Sequence, residues 1–177
     1  MKDYRTISSH YVYNGHNIRL RVDEVVLPSG KETVREVVEH NGAVAIVAID
    51  IEKNILLVRQ FRHAAGKELL EIPAGGIDPG ETPEETARRE MQEETGYAPG
   101  KLERLGGFYS APGYANEYLH LFLATDLMPT RLVAEDTEEI KLVRIPHGEV
   151  VELIRRGDIQ DAKSLAGLLY YLKFKAK

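Results

Sequence analysis

Hydrophobic residues in the first half of the chain form short runs that alternate with polar residues or are rich in β-branched side chains. Such runs predict strands, and turn-rich segments at Pro28–Lys31 and Asp50–Asn54 predict hairpins between neighbouring pairs. The Gly- and Pro-rich segment from Ala74 to Gly80 is predicted to be a loop. The predicted strands are Ile18–Val26, Thr33–Val38, Ala43–Ile49, Ile55–Phe61 and Leu69–Ile72.

The second half of the chain begins with the clearest helix signal. Thr82 is a good N-cap, Pro83 suits the first helical position, Glu85 completes a capping box, and Gly96 supplies a stop. Strands are then predicted over Leu102–Tyr109, Glu117–Thr125 and Ile140–Ile145, and helices over His147–Arg156 and Asp161–Phe174. The pattern predicts a mixed sheet with helices packed on it.

Composition narrows the functional classes. With 43% hydrophobic residues among 177, the chain can bury the core of one domain, with or without a small N-terminal extension. The net charge of −5 disfavours a nucleic-acid partner, and the absence of cysteine excludes disulfides and thiolate chemistry. No segment is long and apolar enough to predict a membrane span, so we expect a soluble, cytoplasmic protein.

Three carboxylates give the first indication of chemistry. Glu90, Glu93 and Glu94 lie at helical spacings i, i+3 and i+4, so they share one face of the predicted helix. Hard divalent cations such as Mg²⁺ take oxygen ligands and bridge carboxylates to substrate phosphates. The alternative is a solvated helix face with Glu–Arg pairs, which is the commoner origin of a charge run. Two glycines directly after a predicted strand, with the capped helix start just beyond them, favour the ligand-binding interpretation.

The segment from Gly75 to Tyr97 resembles the Nudix box, with a glycine, a glutamate and the Arg-Glu-x-x-Glu-Glu-x-Gly pattern all at their expected spacings. Tyr97 departs mildly from it, because an aliphatic residue is usual there. The flanks resemble the ADP-ribose pyrophosphatase branch of the family. These flanks are Val58–Arg62, Leu70–Gly76, Ser110–Gly113 and Asp161–Lys163.

The resemblance implies a Nudix α/β/α sandwich with a mixed sheet over residues 43–177, preceded by an N-terminal strand extension over residues 1–42. It also implies metal ligation by Glu90, Glu94 and the backbone carbonyl of Ala74, with Glu93 shared or adjacent. The metal would be Mg²⁺, with Mn²⁺ as an alternative. Arg89 would hold the catalytic glutamates through ion pairs, and Glu81 would anchor the loop or lie in the outer coordination shell of the metal.

Substrate-binding residues implied by the resemblance lie mostly outside the box. Pro112, sixteen residues after Gly96, resembles the mark of ADP-ribose hydrolases, and an ordinary loop proline is the alternative. Arg62 and Arg59 are candidates for the diphosphate or adenine region, and strand-end surface charge is the alternative for both. Glu117 occupies the position of a carboxylate near the terminal ribose, or is a plain strand residue. Gly76 and Gly113 complete the set.

The general base of this branch comes from an acidic loop. Glu138 is the first choice here, with Glu135, Asp136 and Glu139 as open alternatives, and a solvated loop is the alternative for all four.

The resemblance implies hydrolysis of ADP-ribose to AMP and ribose 5-phosphate by a homodimer that exchanges its N-terminal segments. Other nucleoside diphosphate sugars or related dinucleotides are the alternative substrates. A non-catalytic ADP-ribose-binding sensor is disfavoured, because all three helix glutamates are retained.

Overall fold

The computed structural model describes residues 3–130 and 139–176. The chain divides into two compact units, one with the residues up to Gly42 and Tyr109–Tyr118, the other with Ala43–Phe108 and the residues from Leu119 onward. The ten strands are β1 (Arg5–Asn14), β2 (Arg19–Val26), β3 (Glu32–Glu39), β4 (Ala43–Ile49), β5 (Asn54–Arg62), β6 (Lys67–Glu71), β7 (Ala74–Gly76), β8 (Tyr97–Tyr109), β9 (Tyr118–Pro129) and β10 (Lys141–Pro146). The α-helices of these described ranges are α1 (Pro83–Thr95), α2 (Val150–Arg156) and α3 (Ala162–Phe174).

The first unit contains a three-stranded antiparallel sheet in the order β1-β2-β3. The predicted hairpin at Pro28–Lys31 is confirmed, since Val26 pairs with Glu32 where the two strands meet it. The loop of residues 110–117 also belongs to this unit, and Ala115 forms a parallel bridge to Val38 in β3.

The second unit contains the mixed sheet that the hydrophobic pattern predicts. Its strand order is β10-β5-β4-β9-β8, with β6 paired to β5 and β7 paired to β4. In this described sheet β4 pairs with β9 in parallel. The pairings of β4 with β5 and β7, and those of β5 with β6 and β10, are antiparallel. Every residue of β4 is buried, as expected for a central strand covered on both faces.

Side chains alternate across β4 and feed two hydrophobic cores. Ala45, Val47 and Ile49 face one core, which includes Leu168 and Tyr171 of α3. Val44, Ile46 and Ala48 face a second core, which includes Ala87 and Met91 of α1. The sheet is therefore covered by helices on both faces, and the predicted α/β/α sandwich is confirmed.

Two predictions about local structure are wrong. Ala74–Gly76, predicted to be part of a loop, forms β7 because it pairs antiparallel with Ala43–Ala45 of β4. β1 was missed, because none of its residues is buried and the segment therefore lacks the half-buried alternation of a strand. Among the described residues, no helix is long and apolar enough to cross a bilayer.

Candidate functional site

Helix α1 is fixed at both ends by the residues that the sequence indicated. The Thr82 backbone N–H donates to the Glu85 carboxylate (2.8 Å), and the Glu85 N–H donates to Thr82 Oγ1 (3.3 Å). Gly96 ends the helix in the left-handed region at φ 73°. Ala87, Met91 and Glu94 are spaced i, i+4 and i+7, so they share the buried side of α1, where Ala87 and Met91 join the core and the helix contacts β7.

Glu94 is the carboxylate on this buried side and is only 9% exposed. The backbone N–H of Ala74 in β7 donates to its Oε2 at 2.9 Å. Burial raises the pKa of Glu94 to about 8; the Ala74 hydrogen bond opposes this rise and the charge of Glu90 adds to it. Burial thus favours the neutral form of Glu94, and a divalent cation beside it would favour the anion.

Glu90 passes close to the backbone of β7. A Cβ added to Gly75 would lie 2.0 Å from the Glu90 carboxyl carbon, so only glycine leaves room for this carboxylate. Burial raises the pKa of Glu90, and the adjacent Arg89 opposes that rise. The close approach brings Glu90 and Glu94 to the same short strand.

Arg89 links the carboxylates to the loop before the helix. Its Nε and Nη2 donate to the two oxygens of Glu81 at 2.9 Å each. Its Nη1 donates to Glu90 Oε1 (2.7 Å) and Glu93 Oε2 (3.0 Å), and Nη2 also reaches the Gly76 carbonyl (3.2 Å). The hydrogen bonds from Arg89 lower the pKa of Glu81 to about 2. The predicted ion-pair role of Arg89 thus agrees with its contacts.

The donor set suits a hard divalent cation. Glu90 and Glu93 each give one oxygen to Arg89, and Glu94 gives one to Ala74, so each carboxylate keeps a second oxygen with no described hydrogen bond. Within residues 3–130 and 139–176, no three acidic or histidine side chains already converge closely enough to hold a metal. Binding therefore needs a small adjustment of these side chains, and the buried anions fit the charge of such an ion.

The family relationship follows from the model that matches the chain. The NUDIX domain model matches residues 39–168, which is most of the chain. The chain belongs to the Nudix family. A second model, described as the nucleoside diphosphate sugar hydrolase N-terminal domain, matches residues 4–38, which include β1, β2 and most of β3.

Several named Nudix relatives are similar over most of the chain. An ADP-ribose pyrophosphatase of Bacillus subtilis (strain 168) is 38% identical and covers 97% of this chain and 93% of its own length. An ADP-ribose pyrophosphatase of Mycobacterium tuberculosis is 40% identical, covering 94% and 82%. A GDP-mannose pyrophosphatase of Salmonella paratyphi B is 36% identical, covering 78% and 77%.

A solved structure shares the fold. The crystal structure of an ADP compounds hydrolase superposes with a TM-score of 0.88, at 24% identity, covering 98% of this chain and 95% of that one. At this identity the likeness establishes the Nudix fold, including the strands that precede the box.

The predicted substrate-binding residues of the second unit have different surroundings. Arg62 donates from Nε and Nη2 to the buried carboxylate of Glu71, at 2.9 and 2.6 Å. Arg59, three residues before Arg62 on β5, is half-buried and has no ion pair within the described part of the chain. Gly76 is exposed, and its carbonyl accepts from Arg89. Substrate contact by these residues stays a prediction.

Three further predicted residues belong to the first unit. Pro112 and Gly113 are exposed and line a cavity of about 470 Å³ together with Tyr109 and residues 35–37. The Glu117 carbonyl accepts from Ser110, which closes the loop that carries Pro112. These positions agree with a ligand-facing loop and leave their roles as predictions.

The predicted general base falls mostly outside the described residues. Glu135, Asp136 and Glu138 all lie in residues 131–138, which the structure does not describe. Glu139 is described, and it is exposed in a turn before β10. The choice among the four acids is therefore as open as the sequence left it.

Two contacts in the Nudix domain were not predicted from the sequence. Glu71 and Lys163, both within quoted flanks of the family resemblance, received no role, because their contact joins residues 92 positions apart. Tyr97, the one departure from the box, is half-buried and accepts a hydrogen bond from Arg144 Nη2 in β10 at 2.6 Å. No local pattern indicates either partnership.

Proposed function

We propose that this Nudix protein is a divalent-metal-dependent hydrolase that cleaves ADP-ribose to AMP and ribose 5-phosphate. The observation that carries the proposal is the placement of Glu94, buried against the Ala74 N–H, beside Glu90 at the glycine strand. Relatives named ADP-ribose pyrophosphatase at 38% and 40% identity support ADP-ribose as the substrate. Mg²⁺ is the proposed metal, with Mn²⁺ as an alternative.

Four groups would hold the metal: the carbonyl of Ala74 and the carboxylates of Glu90, Glu93 and Glu94. A bound divalent cation would neutralise charge on the pyrophosphate and lower the pKa of a water molecule. Arg89 orients Glu90 and Glu93, because it donates to one oxygen of each and leaves the other facing away from the guanidinium. It thereby limits the repulsion between neighbouring anions.

The reaction needs one further group to accept a proton. Water attacks one phosphorus, a new O–P bond forms, and the bond from that phosphorus to the bridging oxygen breaks, which releases the two phosphomonoesters. Glu138 is the proposed acceptor of the water's proton, with Glu135, Asp136 and Glu139 as alternatives.

Substrate recognition is assigned to residues with suitable chemistry. Arg59, which has no ion pair among the described residues, would contact the diphosphate from a strand next to the site. Arg62 keeps Nη1 for the same purpose while its other nitrogens bind Glu71. The loop carrying Pro112, Gly113 and Glu117 would contact the sugar side, and Gly76 would approach the phosphates through its backbone.

A second candidate substrate class has its own support. A GDP-mannose pyrophosphatase is 36% identical over 78% of the chain, so hydrolysis of other nucleoside diphosphate sugars is the alternative activity.

The assembly is part of the proposal. We place residues 1–42 as an N-terminal extension and residues 43–177 as the catalytic domain of a cytoplasmic homodimer with exchanged N-terminal segments. Support for the dimer comes from large apolar side chains exposed on β1, which are Ile7, Tyr11, Val12 and Tyr13.

The test uses a substrate panel and one matched pair of variants. ADP-ribose, GDP-mannose, UDP-glucose and NADH are each incubated with enzyme and Mg²⁺, and the products are separated by chromatography. We expect AMP from ADP-ribose to form fastest, and faster release of GMP or UMP would transfer the proposal to the alternative class. Glu94→Gln should reduce turnover of ADP-ribose by a factor of about 100 or more. Glu84→Gln, which alters an exposed residue of the same helix, should match the wild type; equal activity of both variants would refute the metal assignment.

A further inference from the structure

The N-terminus of α3 is attached to the segment that leads into β7. The hydroxyl of Ser164, which is fully buried, accepts a hydrogen bond from the Ile72 N–H at 2.8 Å. One residue earlier, Lys163 Nζ contacts Glu71 Oε2. Two consecutive residues of a distant helix thus hold two consecutive residues of this segment.

Glu71 is a buried anion with two cationic partners. Its side chain is 1% exposed, and it accepts from Arg62 on one side and from Lys163 on the other. Burial acts to raise the pKa of Glu71, but the ion pairs outweigh it, so the pKa lies below its ordinary value. Removal of either cation would leave a partly compensated buried charge, which is strongly unfavourable.

Lys163 is itself held in place by the start of its helix. Its Nζ donates to Asp161 Oδ1 at 2.9 Å, and the same oxygen accepts the Ser164 N–H at 3.1 Å as the N-cap of α3. The lysine is 15% exposed. Asp161 therefore caps the helix and also binds the lysine that pairs with Glu71, so these contacts form one hydrogen-bonded unit.

The path from this unit to Glu94 is short and stiff. Pro73, whose φ is fixed, follows Ile72, and its carbonyl accepts from Ile46 of β4 at 2.9 Å. The next residue, Ala74, donates to Glu94. Gly167 of α3 packs so closely on Ile72 that an added Cβ would lie 2.8 Å from Ile72 Cδ1. A shift of the segment at Ile72 would therefore displace the Ala74 peptide.

We infer that Lys163 is a positioning residue of the Nudix site: through Glu71 it fixes the strand segment that keeps the Ala74 peptide in register with Glu94. Ser164 supports the same register through Ile72. The residue so placed, Ala74, carries both the N–H that binds Glu94 and the carbonyl assigned to the metal, and this last link rests on the proposed function.

The central test compares Lys163→Met with the wild type in three measurements. In the metal-free protein, hydrogen exchange of the Ala74 amide, followed by NMR, should accelerate by about tenfold, because its bond to Glu94 is less well held. Affinity for Mn²⁺ without substrate, measured from the electron paramagnetic resonance signal of the free ion, should fall by about tenfold. With ADP-ribose, kcat should fall while KM changes little, since Lys163 is not placed in contact with substrate.

Two further variants separate positioning from general stability. Lys163→Arg keeps a cation opposite Glu71 and should restore most of the Mn²⁺ affinity. Lys173→Met removes an exposed lysine of the same helix and should leave all three measurements unchanged. A lower melting temperature for Lys163→Met, with wild-type Ala74 exchange and Mn²⁺ affinity, would reduce Lys163 to a structural role and overturn the inference.

The design keeps the two proposals separable. If Lys163→Met does not fold, Ser164→Ala cuts the other attachment, and normal Ala74 exchange in that variant overturns the inference. If the wild type does not hydrolyse ADP-ribose, only the proposed substrate fails, because amide exchange and Mn²⁺ affinity are measured without it.

Discussion

At the scale of single residues, the site depends on the absence of a Cβ at Gly75. The Glu90 carboxylate occupies the space where a Cβ would stand, 2.0 Å from its carboxyl carbon. Because the obstructing group is the end of a flexible side chain, the backbone need not move to relieve a clash. The glutamate would move instead, and with it the ligand geometry.

Gly75→Ala should therefore separate activity from stability. We expect turnover to fall by about 100-fold, since a displacement of about 1 Å in a catalytic group can have that effect. The free energy of unfolding in urea should change by less than about 1 kcal/mol, because the obstructing side chain can swing aside. Gly148→Ala, at a glycine with open space around it, is the control. A fully active Gly75→Ala protein would contradict the proposed position of Glu90.

At the scale of secondary-structure elements, the loop before α1 is fastened to the helix through Glu81. This carboxylate accepts two hydrogen bonds from Arg89 and one from the hydroxyl of Thr86 (2.8 Å). Thr86 lies in the first turns of the helix and is fully buried. The ion pair between Glu81 and Arg89, together with the buried Thr86, thus attaches the loop to α1.

This attachment predicts a pH dependence of stability. The pKa of Glu81 is about 2 in the folded protein, below its ordinary value of 4.5, mainly because of Arg89. A carboxyl with a lowered pKa stabilises the fold fully above its unfolded pKa and loses that contribution as the pH falls toward the folded value. From pH 6 down to pH 2.5, Glu81→Gln should lose less unfolding free energy than the wild type, measured by urea titration. Glu84→Gln should follow the wild type, and a Glu81→Gln curve parallel to it would exclude this role for Glu81.

The elements also show how far sequence reasoning extends. Helix α1 was predicted to the residue, because its capping box and C-terminal glycine are local signals. β7 was not, because Ala-Gly-Gly has no strand propensity and becomes a strand only by pairing with β4. β1 gave no signal either, since its side chains are exposed within this chain.

Some contacts of the site are likewise predictable from local sequence, whereas others depend on the tertiary fold. The clustering of Glu90, Glu93 and Glu94, with Arg89 paired to the first two, follows from helical spacing, so it was predictable from the sequence. The contact of Arg62 with Glu71 is not a cross-strand pair, since Arg62 lies opposite Lys67 and Glu71 opposite Val58, so no local pattern predicts it. Contacts across such distances depend on the tertiary fold rather than on local patterns.

At the scale of the whole molecule, the N-terminal sheet predicts a measurable assembly. Ile7 on β1 is 50% exposed and lies among other exposed apolar residues, which suits burial in a second copy. Ile7→Asp should shift the mass from dimer to monomer in light scattering after size exclusion. Ile51→Asp, at an isolated isoleucine that is 97% exposed in a turn of the second unit, should leave the mass unchanged. A wild-type protein of monomer mass would remove the dimer proposal.

The contacts that join the start of α3 to Glu71 and Ile72 have a consequence for biosynthesis. The partners are 92 residues apart, so a growing polypeptide presents its complete Nudix box well before the helix that steadies it leaves the ribosome. Until then, Glu71 is without its lysine and the Ile72 N–H is without its acceptor. We therefore expect a nascent or truncated chain that ends before Asp161 to contain every box residue, to lack both attachments and to be a poor catalyst.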